Sequence, residues 1–234
     1  MLPYHEQRRM RTLVAQLLYI SIRVRPDILL VVNFLTTKVN KFSEKDKKNV
    51  NRELKDLFGT RHLGLILRIT NNTPDITITT FADASYGVHT NGRSQSGACT
   101  TLGIGSIQSL SNKQKLTTKS SCEAELVAAS DAASQSLGIR NYLISRQRTV
   151  NPIILGQDNL STKSILEKGP RVARRIKHLT VRHFFIHDHV QDGQMEVKYI
   201  NTNDMIADIL TKSLQGEHFI RLRGQLLGSI NESM

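Results

Sequence analysis

The 234-residue chain has no tryptophan and only 5% aromatic residues, so binding single strands by stacking bases is poorly served. Its two cysteines, Cys99 and Cys122, cannot build a disulfide framework or a thiolate zinc site. Long hydrophobic runs are also missing: stretches such as Ile28 to Val32 fall far short of a membrane span. The opening MLPYHEQRRMR has no apolar core before a small-residue cleavage site, so no secretory signal is expected and a reducing intracellular compartment is the default. Acids are in deficit, 20 against 32 Lys and Arg, a net charge of +12. That excess favours a polyanionic partner, of which nucleic acid is the commonest. The remaining composition, 39% hydrophobic and 22% charged, is that of a chain able to bury a core.

The charge is uneven. Residues 1–70 hold 14 basic residues against 6 acids, and residues 71–234 hold 18 against 14. The first part reads as helix throughout. TLVAQLLYISIRV and ILLVVNFLTTKV are separated by Pro26-Asp27, and Glu44 to Phe58 puts Val50, Leu54, Leu57 and Phe58 on one stripe before Gly59. Seventy residues of this kind make a thin core and must pack on something else. After Asn71-Asn72-Thr73-Pro74 the period changes. ITITTFAD, GACTTLGIG and SIQSL read as strands, and a helix follows from about Lys119 to Gln147. A strand at Pro152–Leu155, a helix from about Leu160, a basic connector, a helix at His178–Val190, the strand MEVKYI and a last helix from about Asn203 complete the order. Strands first and alternation afterwards imply an α/β fold, a mixed sheet flanked by helices and preceded by a helical segment.

Four acids stand where chemistry would need them. Asp83 closes the first strand, Glu125 lies on the long helix, Asp158 follows the short fourth strand, and Asp208 lies on the last helix. Strand ends of a mixed sheet converge, and clustered carboxylates are tolerated mainly when cations neutralise them. Hard oxygen ligands suit Mg²⁺ or Mn²⁺, and two such ions about 4 Å apart serve phosphodiester hydrolysis. A competing reading makes each strand-end Asp a turn residue or helix cap. Glu123 rivals Glu125, but positions i and i+2 on a helix point about 200° apart, so only one can face the cluster. The spacing alone leaves the choice between them open. Asp204 fits the first turn of the last helix.

The words FADASYGVHTNGRSQSG, SSCEAELVAAS, ILGQDNLSTKSIL, KHLTVRHFFIHDHV and YINTNDMIADILTK, in that order, resemble the ribonuclease H domain of copia-type retrotransposon Pol polyproteins. LVAQLLYISIRVRPDILLVVNFLTTKVN resembles the helical end of the reverse transcriptase preceding it. The resemblance implies a C-terminal Pol fragment: 1–70 as the thumb-like end of reverse transcriptase, 71–215 as a ribonuclease H-like domain, and 216–234 as a tail. It implies Asp83, Glu125, Asp158 and Asp208 as catalytic, metal-binding residues holding two Mg²⁺ or Mn²⁺ ions. Glu125 is matched over Glu123 because the family's acid immediately precedes a large apolar residue and a small-residue run, which leaves Glu123 facing solvent or assisting the helix N-terminus. The activity implied is hydrolysis of the RNA strand of an RNA–DNA hybrid, and the missing polymerase part is an implied partner. Ser85 stands where relatives often carry a second acid, and no histidine lies between Ile200 and Asp208. His178 and His183 sit on the preceding helix with no assigned role, and His187 and His189 fit a partly exposed helix face.

Lys168, Arg171, Arg174, Arg175 and Lys177, after the break at Gly169-Pro170, form a candidate phosphate-binding patch. Lys38, Lys41, Lys45, Lys47 and Lys48 form a second basic cluster, as compatible with a solvated helix face. No paired-aspartate polymerase hairpin, aspartic-protease motif or Ser-His-Asp spacing is present. The alternatives are an inert retroelement remnant that binds nucleic acid without cutting it, and an integrase- or resolvase-like enzyme of the same fold.

Overall fold

A computed structural model describes residues 1–69, 75–168 and 180–229, with 180–184 through the backbone alone. Helices α1 (Tyr4–Arg23), α2 (Leu29–Thr36) and α3 (Glu44–Gly59) come first. Helix α3 starts where Ser43 and Asp46 cap each other reciprocally. A two-residue strand β1 (Arg68–Ile69) pairs with β4 (Gly103–Ile104).

The main sheet is built from β2 (Thr79–Ser85), β3 (Gln95–Thr101), β5 (Gln108–Lys113), β6 (Ile153–Gln157) and β7 (Met195–Tyr199), in the order β5-β3-β2-β6-β7. Strands β2, β3 and β5 run antiparallel, whereas β2–β6 and β6–β7 are parallel. The parallel strands require crossovers, supplied by α4 (Ser121–Ser145), α5 (Leu160–Lys168) and α6 (Thr180–Gln191). The small side chains of Ala124, Ala128, Ala129, Ala132 and Ala133 bury α4 against one face of the sheet, over Ile78, Ala82, Ala84, Ala98 and Leu155.

The other face is covered by parts distant in sequence. Leu29, Ile209, Leu210 and Leu226 pack on Cys99 and Phe81, joined by Leu18 and Phe219. The N-terminal helices have a core of their own around Val14, Leu17, Val32, Phe42 and Val50. Through Leu18 and Leu29 they also close the second face of the β2–β3 pair, which is what their surplus of apolar residues packs upon.

Three local expectations need correction. Strand β2 runs two residues beyond Asp83 to Ser85, because the ladder with β3 continues through Ser85↔Gln95. The helix expected from about Asn203 is two 3₁₀ turns, Thr202–Asp204 and Ile206–Leu210, separated by Met205 at φ −73°, ψ 93°. A regular helix would compete with the side-chain and backbone bonds that tie this segment to the sheet. The stretch expected as a tail contains helix α7 (Gly216–Leu227). Its Phe219, Leu222 and Leu226 recur at helical spacing and reach the core, and Gly228 at φ +77° ends it with Ser229 N–H donating to Gly224 O.

Candidate active site

The site forms where β2 and β6 end side by side. Their parallel register pairs Phe81 with Gly156, so two residues further on Asp83 and Asp158 emerge at the same level. Gly156 permits this closeness: a Cβ there would lie 2.8 Å from Ile200 Cγ1 and 3.2 Å from Phe81 Cδ1. Glu125 arrives from α4. Asp83, Glu125 and Asp158 each bring a carboxylate oxygen into one group, these atoms lying within 4.8 Å of one another. Asp83 is 2% exposed and Glu125 5%, whereas Asp158 is half-buried.

The cap reading of Asp158 does not hold, because its neighbour has that role. Asn159 Oδ1 accepts from Thr162 N–H in the first turn of α5. Glu123 likewise serves the start of α4. Its Oε2 accepts from Lys119 N–H at 2.6 Å while Ser120 Oγ accepts from Glu123 N–H, although the side chain is buried and not solvent-facing. Asp204 is exposed and pairs with Arg221 at 2.8 Å.

Glu125 is held by neutral donors. Gln157 Nε2 donates to its Oε2 at 3.3 Å, and the Ala84 N–H also donates to it. The same Gln157 accepts from Asp158 N–H, coupling the positions of the two acids. Burial first, then the neighbouring Asp83, pushes the Glu125 carboxyl well above its ordinary range, and Asp158 adds to this.

Asp208 approaches from the 3₁₀ turn Ile206–Leu210 and shares Lys212 with Asp83. Burial and Asp83 raise its carboxyl to about 6, even though Lys212 counters them. Lys212 Nζ bridges Asp83 Oδ1 at 3.2 Å and Asp208 Oδ1 at 2.7 Å. The Thr211 hydroxyl donates to Asp83 Oδ2. The turn is pinned to the sheet by Ser85 Oγ donating to Thr211 O and Ser111 Oγ donating to Leu210 O. It can lie so close because β3 carries Gly97 opposite Asp83. A Cβ at Gly97 would stand 2.5 Å from Thr211 Cγ2 and 2.9 Å from Leu210 Cβ. Thr211, Lys212, Gln157 and Gly97 were not singled out from the sequence, although the first two belong to the word ADILTK and Gln157 to GQDN.

An all-carboxylate donor set with little nitrogen and no thiolate fits a hard cation such as Mg²⁺ or Mn²⁺. Two histidines that superficially resemble ligands do not join it. His189 Nδ1 is bonded to Gln194 Oε1 at 3.0 Å and its ring meets Phe185 edge-on, and both His187 and His189 are partly exposed on α6. The nearest large hollow to α3, about 520 Å³ and lined by Asn51, Leu54, Lys55, Phe58 and Gly59, contains none of the four acids. Of the candidate basic patch, Lys168 is exposed at the end of α5, while Arg171, Arg174, Arg175 and Lys177 lie outside the described residues, as does His178. In the second cluster Lys47 is paired with Glu6 at 2.6 Å.

Three antiparallel strands, a helix, and two parallel strands added beside the first define a ribonuclease H-like fold. Among solved structures, a foamy viral protease–reverse transcriptase in complex with an RNA/DNA hybrid is similar to this chain. It has a TM-score of 0.52 at 12% identity, over 90% of this chain and 26% of that one. The N-terminal ribonuclease H domain of Rv2228c from Mycobacterium tuberculosis aligns at a TM-score of 0.41 and 12% identity, over 63% of this chain and 96% of that one. No family model matches the sequence. Curated relatives do. The chain is 30% identical over 211 residues to the retrovirus-related Pol polyprotein from transposon RE1 of Arabidopsis thaliana, covering 89% of this chain and 14% of that polyprotein. It is 31% identical over 209 residues to the truncated transposon Ty1-A Gag-Pol polyprotein of Saccharomyces cerevisiae, covering 88% and 17% respectively. The chain belongs to the copia-type retrotransposon Pol polyproteins and corresponds to a small part of their length. No described helix is long and apolar enough to cross a membrane.

Proposed function

We propose that this chain is a ribonuclease H, cutting the RNA strand of an RNA–DNA hybrid endonucleolytically, with Asp83, Glu125, Asp158 and Asp208 as catalytic residues that hold divalent ions. The observation that carries the reading is the convergence of Asp83, Glu125 and Asp158, from three separate elements, to within 4.8 Å. Two bound Mg²⁺ or Mn²⁺ ions would supply an activated water and charge stabilisation for the leaving 3′ oxygen. The chain's own residues prepare the site for them. Gln157 fixes Glu125 and Asp158 relative to each other, Thr211 orients Asp83, and the half-buried Asp158 leaves one side open to a backbone phosphate. The ribose 2′-hydroxyl distinguishes the strand to be cut.

Lys168, Arg171, Arg174, Arg175 and Lys177 are proposed to contact hybrid phosphates, giving affinity that falls steeply with salt. The foamy viral neighbour holds an RNA/DNA hybrid, which supports the same partner class here. The polymerase part of the polyprotein is the second proposed partner, and an intracellular setting is consistent with two free thiols.

The test is cleavage of a labelled hybrid with Mg²⁺ or Mn²⁺. RNA is expected to be cut only in the hybrid, and Asp158→Asn is expected to lower the rate about a thousandfold. Salt-sensitive hybrid binding without cutting would return the inert-remnant reading.

A further inference from the structure

The four acids do not share one environment. Glu125 Oε2 accepts from the neutral Gln157 amide, the Asp158 backbone N–H donates to the oxygen of that amide, and neither carboxylate has an ion pair among the described residues. Asp83 and Asp208, by contrast, have a cation built in. Lys212 Nζ sits between Asp83 Oδ1 and Asp208 Oδ1, at 3.2 and 2.7 Å. Its backbone N–H donates to Asp208 O at 2.7 Å, so the lysine and the acid are locked on one turn. Thr211 takes the other oxygen of Asp83. The protein therefore supplies a counter-charge to Asp83 and Asp208 and supplies none, among the described residues, to Glu125 and Asp158.

We propose that Lys212 is a resident counter-ion occupying the place of one of the two divalent ions, so that the ions bind in a set order. The Asp83–Glu125–Asp158 position fills first, and the Asp83–Asp208 position opens only when the ammonium leaves. This rests on the proposed divalent-ion role of the carboxylates and does not depend on whether RNA is cut. The physical argument is displacement. An ion entering between Asp83 and Asp208 must expel a like charge that already pairs with both carboxylates, whereas an ion entering beside Glu125 meets two carboxylates, Glu125 and Asp158, that no cation among the described residues pairs with. Departure is sterically open, because the Lys212 side chain is 36% exposed on a flexible four-carbon stem. Lys212 is thus a positioning residue: it keeps Asp83 and Asp208 together while the site is empty of metal.

The experiment is calorimetric titration of the full chain with Mn²⁺, comparing the unaltered protein with Lys212→Met and Lys212→Arg. The unaltered protein and Lys212→Arg are expected to show one strong site and one much weaker site. In Lys212→Met the weaker site should tighten by about tenfold or more. The metal-free variant should also melt lower than the unaltered protein and regain the difference with Mn²⁺. Equal Mn²⁺ affinities in Lys212→Met and the unaltered protein would overturn the proposal.

A measurement on the unaltered chain keeps the idea testable if Lys212→Met does not fold. Amine labelling at Lys212, read by mass spectrometry against Lys198, should accelerate about threefold as Mn²⁺ passes the first site's saturation. A flat labelling rate would overturn it. Ordered Mn²⁺ binding without hybrid cutting would sink the nuclease reading and leave this one standing. No Mn²⁺ binding by any variant would sink the metal reading and this proposal together.

Discussion

Two regions of the molecule bury charge, and they treat it in opposite ways. In the helical layer Arg25 and Asp27 are both almost fully buried and satisfy each other bidentately, Nε to Oδ1 at 2.9 Å and Nη2 to Oδ2 at 2.7 Å. The rest of the guanidinium donates to Thr60 O and Oγ1, tying the turn at Pro26 to the end of α3. At the end of the sheet, Asp83, Glu125 and Asp158 are gathered within 4.8 Å, and neither Glu125 nor Asp158 has an ion pair among the described residues. A satisfied pair locks a fold in place. A set of like charges is unfavourable in the folded protein until protons or cations neutralise it.

Substitutions can break that contrast. The largest effect is expected for Asp83→Asn, which removes the acid shared by both halves of the site. Hybrid cutting in single turnover should fall by about a thousandfold, equivalent to ~4 kcal/mol in the barrier. The folded protein should remain, because the repulsion on Glu125 is relieved.

Arg25→Met tests the other region, since it strands Asp27 as an unpaired buried charge. Urea denaturation should show a loss of ~3–5 kcal/mol, with cutting per folded molecule unchanged. Adding Asp27→Leu should recover most of that loss. If both single variants altered cutting alike, the division between structural and functional charge would be wrong.

Gly97→Ala lies between the two cases. The new methyl must push the 206–211 turn off β3, at a cost of ~1–3 kcal/mol. Because Asp208, Thr211 and Lys212 ride on that turn, cutting should also fall, by about tenfold.

The smallest effect is a pH dependence. Asp208, raised to about 6, and Glu125, raised further, bind protons more readily folded than unfolded. Metal-free stability from these groups is therefore fully present below pH ~4, the ordinary carboxylate range, and is lost as pH rises through the folded values. Melting temperatures in chelator should decline by about 2–4 °C from pH 5 to 8. Saturating Mg²⁺ should flatten the slope. In the helical layer Glu53, pushed up to about 7 by burial and then by Asp56, loses stability in the same direction, but its share should not respond to Mg²⁺. Glu53→Gln should remove the metal-insensitive part.

Much of the site was legible along the chain because its acids follow local rules. A β-branched run ending near Asp83 and an apolar strand ahead of Asp158 depend on short-range periodicity, and the choice of Glu125 over Glu123 rests on the local word AELVAA that resembles the family's. The structure brings those three acids together and gives Glu123 to the start of α4. Asp208 was placed on the wrong kind of element. The segment IADIL has the composition of a helix, but the carbonyls of Leu210 and of Thr211 just after it accept from Ser111 and Ser85, far away in sequence. Helix α7 was missed despite its stripe of Phe219, Leu222 and Leu226, because the family words end before it.

The sequence by itself determined what nearest neighbours decide: the capping of α3 by Ser43 and Asp46, the alanine stripe of α4, the alternation of β2, and a basic balance suited to a polyanion. Only the tertiary structure decided which groups meet. That Gly97 must lack a side chain, that Thr211 and Lys212 reach Asp83 across 128 and 129 residues, and that the N-terminal helices close the second face of the sheet are not local properties. They follow from burying the turn and α7 on β3, where chain connectivity and packing set the distances between residues that no periodicity relates.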